Sequence, residues 1–190
     1  MRKTLLATAF ALFAAAGGAQ AQSATYAIDP THTFANFEAA HFGTSTIRGR
    51  FDRKEGTVQF DRAAKTGKVD LTIDMSSVST GVGPLNEHLK SKDFFNAAEF
   101  PTAKFVADKF SFGGDKVTEI AGTLTLLGKT NPVVLKASNF NCYQNPMLKR
   151  EVCGGDFETT IQRSQYGMSY GLPGIPDNIR LLVQVEAVKQ

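Results

Sequence analysis

The sequence predicts an all-β domain of about eight antiparallel strands with one short helix. Apolar and polar residues alternate over most of the chain after residue 21, and glycine-rich turn signals separate the alternating runs. A single segment lacks alternation. The two-residue period indicates strands because successive side chains of a strand point to opposite faces.

The first 21 residues have the pattern of a cleavable signal peptide. Arg2 and Lys3 give a positive start, residues 4–16 form an apolar run, and the Ala-Gln-Ala of residues 19–21 fits a cleavage site. The apolar run is short for a bilayer span, although an uncleaved anchor is the alternative. We therefore expect residues 1–21 to be removed and the remainder to be periplasmic.

Cleavage would leave residues 22–190, enough for one domain with a sizeable core. Removing Arg2 and Lys3 takes two positive charges from a formal net charge of +3. No cluster of basic residues interleaves with aromatic residues, so we expect no nucleic-acid partner. No later segment is long and apolar enough to span a membrane. The sequence leaves open whether the chain forms a homodimer.

The first strands carry clear apolar faces. Phe37, Ala39 and His41 alternate with polar or small neighbours, and Leu71 and Ile73 alternate with aspartate and threonine. In such a strand the apolar side chains point inward and the polar side chains point to solvent.

One segment interrupts the alternation and predicts a helical lid. Residues 84–90 follow Gly81-Val82-Gly83 and read as a short helix. Phe94 and Phe95 lie on the connection that comes next. Two adjacent phenylalanines need an apolar contact, so we expect this segment to pack over one end of the barrel.

The later strands are separated by two turn signals. Residues 113–115 (Gly-Gly-Asp) predict a tight turn between strands at 104–112 and 116–127. Residues 128–131 predict another turn before a strand at 133–140, which would place Pro132 at a strand start.

Long antiparallel strands with one apolar face either close into a barrel or stack as a sandwich, and the pattern alone leaves both open. An eight-stranded barrel is wide enough to hold one small ligand. The apolar faces and the lid give the candidate lumen residues Phe37, Ala39, His41, Phe51, Leu71, Ile73, Phe94, Phe95, Phe105, Leu124, Leu126, Ile161, Leu181 and Val183.

Cys142 and Cys153 are the only cysteines of the chain. An oxidising compartment favours a disulfide between them, and Asn145-Pro146 predicts a loop whose flanking strands could bring the thiols together. Their spacing is not that of a zinc site, which leaves a redox or metal role as the less favoured alternative.

No catalytic or metal site is expected. His32, His41 and His88 are widely spaced and match no short metal-binding pattern, and nothing indicates a cofactor. His41 lies on an apolar face, where we expect a buried histidine.

Two other features have structural explanations. Residues 167–171 match the Gly-x-Ser-x-Gly motif of serine hydrolases, but two prolines follow where that motif needs a helix. The candidates for binding an anionic head group are Arg48, Arg50, Arg53 and Lys54. Arg48 and Arg50 share the strand face opposite Ile47 and Phe51, which predicts that these two point outward.

Several segments in order resemble the YceI-like family of bacterial periplasmic proteins, in the branch with a cysteine pair. They are AAHFGTSTIRGRF (39–51), SKDFFNAAEFPTAKF (91–105), YAIDPTHTFANFEAAHFG (26–43), VDLTIDMSSVSTG (69–81), GTLTLLGKTNPVVL (122–135) and VCGGDFETTIQRSQYGM (152–168). The resemblance implies an eight-stranded antiparallel lipocalin-like barrel with a long apolar lumen that binds polyisoprenoid lipids.

We therefore expect a periplasmic carrier that holds a long-chain isoprenoid or fatty lipid and has no enzymatic activity. One alternative is a filled barrel that acts in stress response or binds a partner protein. Another is an enzyme acting on such a lipid, with His41 or His88 as the acid–base group.

Overall fold

The computed structural model describes residues 23–190, so the predicted signal peptide, residues 1–21, lies outside the described residues. The described chain forms one helix, α1 (Gly83–Lys90), and two 3₁₀ helices, Met75–Ser77 and Arg163–Tyr166. Its strands are β1 (Ala24–Ile28), β2 (Phe34–His41), β3 (Ser45–Phe51), β4 (Lys54–Asp61), β5 (Thr66–Asp74), β6 (Val78–Ser79), β7 (Thr102–Gly113), β8 (Lys116–Leu126), β9 (Lys129–Gln144), β10 (Glu151–Gln162) and β11 (Asn178–Lys189).

Three of the long strands are each interrupted once. Residues 29–33 separate β1 from β2, residues 52–53 separate β3 from β4, and the first 3₁₀ helix separates β5 from β6. The pairing continues across these interruptions, because β1 pairs with β4 while β2 pairs with β3, and β5 pairs with β4 while β6 pairs with β3. The eleven segments therefore make eight long strands.

The eight strands form a closed antiparallel meander. Each long strand pairs with the next one in sequence, and the sheet closes where β11 pairs with both β2 and β1. Closure leaves no long strand edge unpaired, which removes a site of aggregation. The predicted eight-stranded antiparallel barrel is confirmed, and the sandwich alternative is wrong.

The turn between β8 and β9 is shorter than the sequence predicts. It contains only Leu127 and Gly128, both with positive φ (51° and 70°). A two-residue turn of this kind matches the twist of the flanking strands. The strand β9 therefore begins at Lys129 rather than at residue 133, and Pro132 lies inside it.

Helix α1 and the segment after it cover one end of the barrel. Pro84 lies at the start of the helix, where its missing N–H has no intrahelical partner to lose. The Phe95 N–H then donates to the Leu89 carbonyl (2.9 Å), which folds the segment back onto the helix. The Phe95 ring packs edge-on against Phe37 and Phe51, with centroids 6.1 and 5.3 Å away. The lid is thereby joined to the barrel interior.

Cys142 and Cys153 form a disulfide with an S–S distance of 2.04 Å, as predicted. The two residues lie directly opposite each other in the β9–β10 register. The bond therefore closes the hairpin whose turn is residues 145–150.

Candidate functional site

An apolar cavity of about 140 Å³ lies inside the barrel beneath the lid. We call it the lid compartment. Strands, the lid and the connection between the second 3₁₀ helix and β11 all contribute to its wall, and only apolar atoms face it. A wall of this kind can offer contact area and no hydrogen bond.

A second cavity of about 70 Å³, the far compartment, lies in the other half of the barrel. Leu71, Phe105, Leu135 and Val183 line both compartments and form the waist between them. Leu71 and Phe105 are direct partners across β5 and β7. A chain that passed from one compartment to the other would have to displace these side chains.

Thirteen of the predicted lumen residues line the lid compartment. Strand alternation located most of them because the barrel has an inside and an outside along every strand. They are Phe37, Ala39, Phe51, Leu71, Ile73, Phe94, Phe95, Phe105, Leu124, Leu126, Ile161, Leu181 and Val183.

The prediction of a buried, lumen-facing His41 is wrong. His41 is the last residue of β2 and is exposed, with its ring edge-on to Phe42 at 4.9 Å. Alternation fails here because the hairpin turn has begun, and the Thr44 N–H donates to the His41 carbonyl (3.0 Å). His88 also lies off the cavity wall, exposed on α1 with its Nε2 3.1 Å from an Asp93 oxygen.

Sequence reasoning found Phe94 and Phe95 on the lid but missed the rest of the wall that is not strand. Met168 and Ile175 come from the connection before β11, Met75 from the first 3₁₀ helix, and Leu89 from α1. None of these residues belongs to an alternating run, so the two-residue period cannot find them. Their only signal is an apolar side chain inside a stretch rich in turn residues.

Arg163 fixes the connection before β11. Its side chain is 2% exposed, and the guanidinium donates to the carbonyls of Pro176 (3.0 Å), Met168 (3.2 Å) and Ile175 (2.8 Å). Burial lowers the pKa of Arg163, and Asp177 opposes that shift. Because the carbonyls engage the charged head, only the aliphatic stem faces the lid compartment.

The lid meets this connection through aromatic edges. Tyr170 packs against His88 and Phe94, with both centroid distances 5.3 Å. Ser169, at the centre of the Gly-x-Ser-x-Gly match, precedes Tyr170 in a stretch that leads directly to β11 within the described chain. Since no helix follows the serine there, the motif lacks the elbow geometry of a hydrolase.

The far end of the barrel is closed by a polar contact. The hydroxyl of Tyr26, a buried residue, donates to a Glu151 carboxylate oxygen, and Arg62 lies 3.6 Å from the other oxygen. Burial raises the pKa of Tyr26, and the bond to Glu151 raises it further. The far compartment thus ends at a satisfied polar group.

Arg48 and Arg50 point outward, as predicted. Arg48 pairs with Glu38 (2.7 Å) and Arg50 with Asp52 (2.8 Å), and both arginine side chains are more than half exposed. Exposed ion pairs of this kind contribute little to stability. Neither arginine reaches the cavity wall.

Residues 23–190 contain neither a candidate metal site nor a helix that could span a membrane. No group of three or more His, Cys, Asp or Glu side chains in that range could hold a metal ion. In the same part of the chain, none of the helices has the length and apolar character needed to cross a bilayer.

Comparison with known proteins places the chain. A family model for the YceI-like domain matches residues 26–187. Protein YceI of Escherichia coli O157:H7 is 35% identical over 194 residues, with 100% of both chains covered. The crystal structure of the Campylobacter jejuni YCEI protein has a TM-score of 0.70 at 28% identity, covering 80% of this chain and 90% of that one.

A polyisoprenoid binding domain from Saccharophagus degradans has the same fold, with a TM-score of 0.65. Its sequence identity is 18%, and the likeness covers 89% of this chain and 100% of that domain. The family model and the full-length relative together show that this chain belongs to the YceI-like family.

Proposed function

We propose that this protein binds a long-chain apolar lipid, polyisoprenoid or similar, in the barrel lumen and carries or sequesters it in the periplasm. The observation that carries the proposal is a cavity whose wall presents only apolar atoms and which adjoins a second apolar compartment. A polar metabolite would find no hydrogen-bond partner there and would lose its hydration. Affinity would come from apolar burial, so selectivity would follow chain shape more than head group.

Size decides how the lipid would be held. A dry cavity of about 150 Å³ accommodates a group the size of benzene, and the lid compartment is about 140 Å³. We expect a longer chain to displace the waist and enter the far compartment, which is also apolar. Each five-carbon isoprene unit buried there would contribute on the order of 2–4 kcal/mol before the costs of ordering.

Two further observations support the proposal. The structurally similar domain from Saccharophagus degradans is described as polyisoprenoid binding. The Cys142–Cys153 disulfide suits an oxidising compartment such as the periplasm, where the predicted signal peptide would direct the chain.

The proposal includes no chemical step on the lipid. Catalysis needs polar groups that converge on the reacting atoms, and His41, His88 and Ser169 all lie off the cavity wall. We expect a defined polyprenyl lipid to keep its mass when incubated with the protein. We expect the same for His41→Asn and Ser169→Ala. If the unmodified protein changed the mass of the lipid and either substitution abolished that change, the protein would be an enzyme.

Native mass spectrometry of protein purified from its own periplasm tests the proposal directly. The expected spectrum shows a bound mass that organic solvent extracts as a long-chain apolar lipid. A polar ligand in the extract, or apoprotein that also fails to take up added polyprenyl lipid, would contradict the proposal.

A matched pair of substitutions separates a lumen from a filled core. Val133 lines the lid compartment, whereas the next residue on β9, Val134, is 43% exposed. Val133→Trp should fill the cavity and reduce bound lipid several-fold, and Val134→Trp should leave binding unchanged. If Val133→Trp instead lowers stability strongly and leaves lipid binding intact, the barrel is a solid core and the filled-barrel alternative holds.

A further inference from the structure

The hairpin between β9 and β10 ends in an exposed apolar tip at the far end of the barrel. Its turn is residues 145–150, in which Met147 is 87% exposed and Leu148 is 44% exposed. Lys149 and Arg150 follow directly and are also exposed. Single exposed apolar residues are ordinary, but two adjacent ones beside two basic residues form a small amphipathic surface.

The tip is held in a fixed shape. The Asn145 side-chain oxygen accepts from the Met147 N–H (2.9 Å) and the Leu148 N–H (3.0 Å). The Asn145 N–H donates to the Arg150 carbonyl (2.9 Å), and the disulfide joins the two strands below. Since the turn is organised in advance, inserting its two apolar side chains elsewhere would cost little ordering entropy.

The surroundings of the tip are positive. Arg150 donates to the Lys189 carbonyl, which places a third basic residue beside the tip. Lys65 lies in the turn that also contains Arg62, next to Glu151. Between residues 23 and 190, none of Lys65, Lys149, Arg150 and Lys189 forms an ion pair.

Two acidic groups near the tip are already engaged. Glu151 accepts from Tyr26 and pairs with Arg62, and Glu186 accepts from the Tyr143 hydroxyl (3.3 Å). Asp61 and Asp115 also lie at this end and form no ion pair within the described residues. The four unpaired cations outnumber these two carboxylates, and they favour an anionic partner.

We propose that this tip docks the protein on anionic phospholipid bilayers. Met147 and Leu148 enter the boundary between head groups and acyl chains, while Lys149 and Arg150 lie among the phosphates. Two apolar side chains are too few for a stable protein interface, which needs roughly 800 Å² on each partner. A bilayer accepts a small apolar anchor supported by charge. The proposal does not depend on what the lumen holds.

Vesicle co-sedimentation tests it, with phosphatidylcholine vesicles compared to vesicles that also contain phosphatidylglycerol. The protein should bind the anionic vesicles, and salt should release it. Lys149→Gln with Arg150→Gln should weaken binding by more than about tenfold, because each basic residue near an anionic surface contributes roughly fivefold. Met147→Ser with Leu148→Ser should also weaken it markedly.

Phe42→Ser is the matched control, since Phe42 is 65% exposed at the opposite end of the barrel. It should bind like the unmodified protein, and all variants should keep the same melting temperature. Equal binding to neutral and anionic vesicles, unchanged binding by both double variants, or loss of binding in Phe42→Ser would overturn the proposal. A lumen lipid that persists in the double variants keeps this result separate from the carrier function.

Discussion

The two halves of the barrel share an apolar wall but are filled differently. In the far half, Phe60 packs against Phe140, Phe110 and Tyr26, with ring centroids 5.8, 6.2 and 6.4 Å away, and the remaining cavity is about 70 Å³. In the lid half, the cavity is about 140 Å³. Part of the lid-half wall is helix and irregular connection, whereas strands enclose the far half.

Because of this difference, we expect the two halves to have different roles, one in stabilising the fold and the other in exchanging a ligand. Strand walls are fixed by continuous backbone hydrogen bonds, and opening them means breaking the sheet. The backbone hydrogen bonds of the lid and of the connection before β11 run mostly within each segment, as from the Phe95 N–H to the Leu89 carbonyl and from the Ile175 N–H to the Gly171 carbonyl. These segments can therefore open locally at a lower free energy than the sheet. We therefore expect the far half to dominate stability and the lid half to control lipid exchange.

The largest effect on stability should come from the aromatic cluster of the far half. Phe60→Ala should lower the free energy of unfolding by about 3–5 kcal/mol, because the surrounding rings cannot collapse into the space. Phe94→Ala, on the lid, should cost less, about 2 kcal/mol, because the ring neighbours of Phe94, His88 and Tyr170, are exposed and can move into the space. Urea denaturation measures both. Equal losses would mean that the two halves are packed alike.

The disulfide should have the next largest effect. Replacing both Cys142 and Cys153 by alanine should lower the free energy of unfolding by about 3 kcal/mol, given their sequence separation of 11. Thermal and urea unfolding measure this loss, and native mass spectrometry should show the same bound lipid. The unmodified protein should show no free thiol before reduction. Two freely titrating thiols in the folded protein would refute the pairing.

Arg163→Lys should loosen one wall of the lid half. Lysine cannot reproduce three separate carbonyl contacts, so we expect a loss of about 1.5–3 kcal/mol and faster lipid release. Hydrogen exchange at residues 167–177 should increase. Arg180→Lys is the control, because Arg180 is half-exposed and its ion pairs with Glu38 and Glu158 contribute little. If hydrogen exchange at residues 167–177 is unchanged in Arg163→Lys, then Arg163 does not position this wall.

The smallest effect concerns the bend between β1 and β2. Burial alone would raise the pKa of Asp29, but hydrogen bonds from His32 and Thr31 outweigh burial and lower that pKa to about 2. The same bond to Asp29 raises the pKa of His32. The contribution of Asp29 is thus present above its ordinary pKa of 3.8 and is lost as pH falls toward 2.

The contribution of His32 has the opposite sign. It is complete below the ordinary pKa of 6.5 and disappears as pH rises through the raised value. NMR titration of both side chains checks this pair, and Asp29→Asn should return His32 toward its ordinary pKa. A His32 that titrates identically in both proteins would show that the bond is absent in solution.

The sequence predicts much of the strand-lined wall and the two lid phenylalanines, Phe94 and Phe95, but misses the other non-strand residues of the wall. Leu71 and Leu124 were found because alternation depends only on neighbouring residues. His41 was misplaced because the strand ends there, and a two-residue turn at Leu127 and Gly128 lengthened β9 beyond its predicted start. Such strand boundaries depend on turn geometry, which the two-residue alternation of apolar and polar residues does not predict.

The missing part of the site depends on contacts that are distant in sequence or lack a period. Arg163 positions a connection by binding carbonyls up to 13 residues away. The waist is formed by residues from separate strands, such as Leu71 and Leu135, whose meeting depends on barrel closure. A list of inward residues therefore cannot divide the lumen into compartments.

The central claim is that a long lipid joins the two compartments by displacing the waist. The direct test is the Kd for polyprenyl lipids of increasing length, measured for the unmodified protein and for Leu135→Trp, with outward-facing Val134→Trp as control. Affinity of the unmodified protein and the control should keep rising with length beyond the point where Leu135→Trp levels off. If all three level off at the same short length, the far compartment takes no ligand and the claim is wrong.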